Sequence, residues 1–177
     1  HGDDRRQRQM CIRDSCSSGC NDLRLSSRMN GVWQNETVSS TNDIGQDPDI
    51  AIDSQGTIHI VSRYASLSSG RIYLHSGTPG SWTVNTGLGG GNAYWPVVGV
   101  DSNDAVHISY HRSWTYKNVM YMTNASGSWS TASVIENRGG WGSEMVIDAN
   151  DDVFVPNFDS YGTVSYTHLR AHETHTH

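Results

Sequence analysis

One short run of the sequence places candidate bases beside a cation. Tyr110, His111 and Arg112 are consecutive in the chain. A tyrosine or histidine can remove a proton from a carbon next to a carboxylate, and an arginine can neutralise that carboxylate. This is the chemistry of a lyase that acts on acidic polysaccharides, so these three residues are the catalytic candidates of the chain.

Aromatic residues also gather in four stretches that connect predicted strands. Residues 92–95 and 138–141 each end in tryptophan, and residues 110–116 and 158–161 mix aromatic with charged side chains. Aromatic faces stack on the CH groups of sugar rings, while polar side chains hydrogen-bond the hydroxyls. An equally good interpretation is that these aromatics cap a central core. The predicted ligand-binding residues are Tyr94, Trp95, Trp114, Tyr116 and Trp141 as ring platforms, and His111, Arg112 and Asp159 as polar contacts.

These stretches must be positioned by a repeated element. Three copies of an apolar run end in aspartate and are followed by a short polar turn and a second apolar run. The aspartates are Asp53, Asp101 and Asp148, spaced by 48 residues (53 to 101) and by 47 (101 to 148). A second marker, a tryptophan after Gly-Val or Gly-Ser, recurs with nearly the same period at positions 33, 82 and 129. Two independent markers with one period indicate a repeat architecture.

Each complete repeat is predicted to form four short strands. Apolar and polar residues alternate on both sides of the aspartate turn, and two further short runs follow, separated by Ser- and Gly-rich stretches. Four strands in about 47 residues is the size of one β-propeller blade. We therefore predict an all-β chain: a truncated, partial β-propeller of about two and a half four-stranded antiparallel blades. Propellers close with about 4 to 8 blades, so the missing blades of a parent propeller are expected partners.

The predicted blades divide the chain. Residues 21–45 hold a linker and a lone last strand of a preceding blade, residues 46–92 and 93–137 are complete blades, and residues 138–162 are the first half of a blade with two strands. In such folds the loops that join one blade to the next, and the second strand to the third, lie on one face. The aromatic stretches fall in those loops.

The two ends are predicted to be foreign to the fold. Residues 1–20 are expected to be a non-native or disordered tail, and residues 163–177 a non-native, His-rich tail, because neither carries the alternation of the repeat. Within them, RQMCIRDS and VSYTHLRAHET resemble translated sequencing-adapter segments, which flank reading frames assembled from environmental DNA. All three cysteines lie in the first tail without a four-ligand zinc pattern. We predict no metal and no cofactor.

Residues repeated in the blades are predicted to build the scaffold. Each repeated aspartate can accept hydrogen bonds from backbone N–H groups of the turn that follows it. His59 and His107 are equivalent positions, with Phe154 in the third repeat, and a position that accepts both residue types suits packing between blades. The repeated tryptophans are expected to pack as a staple at the outer strand of each blade. Residues 148–152 are similar to the start of a calcium loop, but Val153 stands where that loop needs glycine.

A family resemblance follows from the motif order. Apolar-Asp-Ser-x-Gly-x-x-His-Ile at residues 52–60, followed by a tyrosine and then by GSW, resembles the blades of secreted bacterial propellers loosely grouped with the bacterial neuraminidase repeat, or sialidase-like, proteins. The resemblance covers roughly residues 31–162 and implies an extracellular or cell-surface location. The Asp-box of true sialidases has one residue between Asp and Gly, whereas Asp53 and Gly56 are separated by two. A sialidase-like hydrolase would also need several arginines, for which Arg63, Arg112 and Arg138 are available, and a paired Tyr and Glu, which the sequence does not make evident.

Composition limits the partners. The chain has 18 acidic residues against 12 lysines and arginines, a net charge of −6, and no apolar run of membrane-spanning length. An acidic chain without a basic stripe argues against nucleic acid and against anionic lipid, and we expect no membrane insertion. The favoured function is carbohydrate or cell-surface binding through the aromatic loops. The alternatives are a glycan-degrading enzyme, either sialidase-like hydrolase or polysaccharide lyase, and a structural repeat that mediates protein contacts.

Overall fold

The fold is known from a computed structural model, which describes residues 21–41, 43–64, 70–112, 117–137, 139, 144–158 and 164–170. Every strand or helix assigned within these ranges is a β-strand. None of the described segments forms a helix able to cross a bilayer.

In the described part of the chain, thirteen strands form four antiparallel sheets in chain order. The N-terminal hairpin consists of β1 (Leu23–Met29) and β2 (Val32–Ser39). The first blade consists of β3 (Gln46–Ile52), β4 (Ile58–Arg63), β5 (Ile72–Thr78) and β6 (Ser81–Leu88). The second blade consists of β7 (Ala93–Val100), β8 (Val106–Arg112), β9 (Asn118–Thr123) and β10 (Ser133–Glu136). The third blade, which is the fourth sheet, consists of β11 (Val146–Ile147), β12 (Asp152–Phe158) and β13 (Val164–Arg170).

This arrangement confirms the predicted all-β, partial propeller. Each strand of a blade pairs with the next strand of the chain, so each sheet is a simple meander. The first strand of each blade is the inner one, and β7 contacts both β3 and β11. The inner strands of successive blades therefore lie side by side, as they do around the axis of a propeller.

The hydrophobic cores lie between sheets. The largest core joins the first blade, through Val61 and Leu74, to the second, through Ile108 and Tyr110. A smaller cluster holds the N-terminal hairpin against the first blade, and another joins the second blade to the third. Burying one such aliphatic or aromatic side chain contributes about 1.5–3 kcal/mol, so stacking of blades rather than pairing within a blade buries the apolar surface.

Two regions differ from the sequence prediction. The lone strand expected before the first blade is instead a hairpin, turned by Asn30 and Gly31, which both have positive φ (51° and 82°). The half-blade expected after residue 138 has a third strand, because β13 pairs in continuous register with β12. That strand lies inside the segment predicted to be a foreign tail.

The repeated aspartates cap the turns that follow them, as predicted. The Oδ1 atom of Asp53 accepts hydrogen bonds from the backbone N–H groups of Gln55 and Thr57 at 3.0 and 2.7 Å. Asp101 receives the same pair from residues 103 and 105, both at 2.9 Å. Asp148 receives it from residues 150 and 152 at 2.8 and 3.0 Å. One carboxylate thus satisfies two turn donors in each blade.

The repeated histidines are buried, and each is hydrogen-bonded within its own blade. The Nε2 atom of His107 lies 3.1 Å from Oδ2 of Asp101, and its Nδ1 lies 2.6 Å from the Tyr121 hydroxyl. The first blade repeats the pattern with Asp53 and Ser76 at 3.2 and 2.9 Å from His59. In the third blade, where Phe154 replaces histidine, the side-chain amide of residue 150 lies 3.3 Å from Asp148 Oδ2 instead.

A serine and an aspartate link each aspartate turn to the turn of the next blade. Asp104 accepts hydrogen bonds from the backbone N–H and the hydroxyl of Ser54, both at 2.7 Å. Asp151 binds Ser102 of the second blade in the same way, again at 2.7 Å for both bonds. These paired bonds, the inter-blade latch, fix neighbouring turns in register, and the equivalent position of the first blade is Gly56.

The tryptophan staple is present only in part. The indole N–H of Trp82 donates to Glu36 of the N-terminal hairpin at 3.1 Å, and Trp129 packs against the core between the blades. Trp33 is 65% exposed, so the prediction of a packed staple is wrong for this residue. Trp33 lies on β2 of the N-terminal hairpin, and the described residues include no blade before this hairpin that could cover it.

Candidate functional site

A repeated bulge shapes the inner edge of the first two blades. The register of β3 shifts between Gln46 and Asp49, and that of β7 shifts between Tyr94 and Val97. Each bulge contains a residue with positive φ followed by proline: Asp47 at 48° and Trp95 at 47°. Non-glycine residues in this region carry strain of about 1–3 kcal/mol, and bulges re-aim side chains beside functional sites. The two blades use the same backbone device to place different side chains.

The bulges face a cleft of about 300 Å³, which we call the inner cleft. It lies between the inner strands of the first two blades and the residues that precede β11. Three carboxyl-bearing residues and one indole contribute to it, and prolines complete the lining. The residues that line it are Asp47, Pro48, Asp49, Trp95, Pro96, Val97 and Glu144.

Hydrogen bonds hold part of this acidic set in place. The Oδ2 atom of Asp49 accepts the backbone N–H of Val98 at 2.8 Å, which ties β3 to β7. Asp47 forms an ion pair with the Nε atom of Arg63. A carboxylate has about four acceptor positions on its two oxygens, so each of these groups retains capacity for further donors.

An aromatic and cationic network supports Trp95 from behind. The Trp95 ring lies 5.7 Å from the Tyr94 ring and 5.9 Å from that of His111, the latter edge to face. The Arg63 guanidinium lies over the Tyr94 ring, 5.2 Å from its centroid. Stacked rings and a cation over an aromatic face each contribute about 0.5–1.5 kcal/mol. Trp95 is therefore held as a rigid platform.

Two predicted contacts of the ligand are buried behind this platform. Tyr94 is 7% exposed and His111 is 3% exposed, so they support Trp95 rather than meet solvent. Burial lowers the pKa of His111 from 6.5 to about 4. Its ring is neutral at pH 7 and little able to act as a base there.

The three catalytic candidates are not brought together. Side chains alternate along a strand, and Tyr110 and Arg112 line a groove in which His111 takes no part. Tyr110 is fully buried, and burial raises its pKa, although the Gly90 backbone and the Arg112 charge act in the opposite direction. A single site that uses all three side chains would have to span both faces of β8. The geometry therefore offers no support for the hypothesis that Tyr110, His111 and Arg112 form a lyase site.

Four of the predicted site residues lie outside the described residues: Trp114, Tyr116, Trp141 and Asp159. In the described part of the chain, Trp95 is the one predicted ring platform that borders the inner cleft. The sequence did not indicate Asp47, Asp49 and Glu144 as members of the site. Arg63 was noted only as an arginine available to a sialidase-like hydrolase, and it supports the site through Asp47 and Tyr94. A signal was available, because the Asp-Pro and Trp-Pro dipeptides at 47 and 95 share the period of the repeat.

The chemistry of the inner cleft is that of acceptors beside an aromatic face. Across the described ranges, no group of three His, Cys, Asp or Glu side chains is arranged to hold a metal ion. Carboxylates that accept hydrogen bonds from hydroxyls, next to an indole face, suit a neutral polyhydroxylated ring. In a comparison with known proteins, the sequence matches no protein-family model. No curated protein matches it either.

Proposed function

We propose that this chain is part of an exported β-propeller that binds a neutral carbohydrate at the inner cleft. The observation that carries the proposal is Trp95, which stands on a strained bulge and borders a cleft shared with Asp47, Asp49 and Glu144. Strained backbone persists where the surroundings enforce it, and such positions cluster at ligand sites. The indole would stack on the sugar ring, and the carboxylates would accept its hydroxyl protons.

The charge of the cleft favours this class of ligand. Three carboxyl-bearing residues line it, and no lysine or arginine is among its described lining residues. Arg63 pairs with Asp47 from behind and lies over Tyr94. An anionic sugar would be repelled there, whereas a neutral sugar offers the hydroxyl donors that carboxylates need. Neutral cell-surface glycans are therefore the expected ligands.

Further blades of a parent propeller are the proposed neighbours of the two outer flanks. Ile50 and Ile52 of the first blade are 48% and 61% exposed, and Val146 and Phe154 of the third are 60% and 39% exposed. Between blades these positions become part of a core, as they do at the interfaces described above. The resemblance to secreted bacterial repeats supports an extracellular or cell-surface location.

A glycan array tests the binding proposal. The purified chain is expected to retain one or more neutral glycans, and Trp95→Ala should weaken that binding about tenfold or more, because truncating a central tryptophan typically costs 2 kcal/mol or more. Trp33→Ala is the matched control, since Trp33 is an exposed indole remote from the cleft. Binding that is equal in the native chain and Trp95→Ala, or lost equally in both variants, would refute the inner cleft as the site.

A further inference from the structure

A second concavity lies between the first and second blades, away from the inner cleft. This outer groove has a volume of about 440 Å³, within the range of small-molecule sites. Its walls are residues 87–90 at the end of β6 and just beyond it, the face of β8 and β9, and the 129–132 segment before β10. The lining residues used below are Gly89, Gly90, Tyr110, Arg112, Met122 and Trp129.

Three of the four residues in one wall of the groove are glycines. Gly89 has positive φ (73°), and a Cβ atom there would lie 3.1 Å from both the Tyr110 ring and the Ile72 side chain. Gly90 has open space where its side chain would be. Gly89 therefore lies directly on the Tyr110 ring, and no side chain at position 90 fills the groove.

The groove combines an aromatic face with one charge. Trp129 is partly exposed, and its packing on the core between the blades fixes its ring. Arg112 is exposed and is the sole charged residue among the described lining residues. Within the described part of the chain, none of the ion pairs involves Arg112. An exposed arginine that pairs with none of the described carboxylates is able to bind the carboxylate of an external ligand.

We propose that the outer groove binds a small ligand that carries a carboxylate on a six-membered ring, with the carboxylate on Arg112 and the ring on Trp129. The apolar walls from Met122 and Tyr110 exclude a ligand that is charged on every side, and the lone cation selects one acidic group. This ligand is anionic, whereas the ligand proposed for the inner cleft is neutral. The two sites share no lining residues, so each proposal can be tested independently of the other.

The test is a titration of the ¹⁵N-labelled native chain followed by two-dimensional NMR. The probes are D-glucuronate and benzoate, which present the same ring carboxylate from a sugar and from an aromatic acid, with D-glucose as the neutral control. The indole N–H signal of Trp129, assigned with Trp129→Phe, is expected to shift with at least one acid and not with glucose. Preference between the two acids identifies the source of the ligand.

Two variants complete the experiment. Arg112→Gln should weaken binding of the acid about tenfold or more, because a charge-assisted hydrogen bond is lost. Arg71→Gln, which removes the same charge from an exposed position outside the groove, should leave binding unchanged. The proposal is overturned if neither acid shifts the Trp129 signal, if glucose shifts it equally, if the Trp95 indole responds instead, or if Arg112→Gln binds like the native chain.

Discussion

The Asp101 carboxylate carries three hydrogen bonds whose loss can be measured. Asp101→Ala removes the acceptor of the Asn103 and Ala105 N–H groups and of the His107 imidazole. Water can replace the acceptor for exposed residue 103, but the His107 side chain is 1% exposed. A buried donor without a partner costs about 1–3 kcal/mol, so the expected loss of unfolding free energy is about 2–5 kcal/mol. Each kcal/mol lowers the melting temperature of a chain of this size by about 2–4 °C.

The third blade supplies the comparison. Asp148 makes the same two turn bonds, but Phe154 stands where the histidine would be, so Asp148→Ala should cost only about 1–2 kcal/mol. His107→Phe copies the third blade, and combining it with Asp101→Ala should cost less than the two single changes added together. Urea unfolding of the native chain, the three single variants and the double variant measures these losses and the coupling between Asp101 and His107. Equal losses for Asp101→Ala and Asp148→Ala, together with additive energies in the double variant, would refute this account of the buried pair.

Three further predictions concern the latch, the glycine segment and the buried histidine. Asp104→Ala should lower the urea midpoint by opening the latch. Hydrogen bonds from Ser54 hold the Asp104 pKa below its usual 3.8, so the latch stabilises the native chain above pH 3.8 and weakens as the pH falls through the lower pKa of the folded state. The pH–stability curve of the variant should lack that decline. Gly89→Ala should lower the unfolding free energy by about 1–3 kcal/mol, because of its positive φ and its contacts with Tyr110 and Ile72. Gly90→Ala, with open space around it, should change the unfolding free energy by less than about 0.5 kcal/mol. Equal values for the two variants would contradict the close approach of Gly89 to Tyr110. Burial lowers the His111 pKa from 6.5 to about 4, so the unfolded chain takes up the proton first as the pH falls. The free energy of unfolding should therefore fall by about 3 kcal/mol as the pH drops from 6.5 to 4. His111→Phe should flatten that part of the plot of unfolding free energy against pH, and an unchanged slope would show that His111 is not the group responsible.

The sequence predicted those features that depend on neighbours along the chain. The turn after Asp53 could be read from alternation and a polar break, and its repetition after Asp101 and Asp148 fixed the blade period. The hairpin before the first blade was missed although Asn30-Gly31 is a strong hairpin signal, because its strands lack the repeated aspartate.

Features that depend on contacts between blades could not be read in the same way. Asp104 reaches Ser54 across 50 residues of sequence, and Asp49 reaches Val98 across 49, so neither bond follows from local pattern. The aromatic clustering did indicate Trp95. Burial of Tyr94 and His111 behind it depends on the bulge and on Arg63, which no single blade reveals.

The central claim is that repeated residues build the blades while the bulges, where the side chain changes from blade to blade, carry the binding site. Amide chemical-shift mapping with a neutral glycan selected on the array tests it most directly. The account predicts shifts at Asp47, Asp49, Trp95 and Val97, and none at the turns 53–56, 101–104 and 148–151. Shifts confined to those turns, with the inner cleft unaffected, would contradict it.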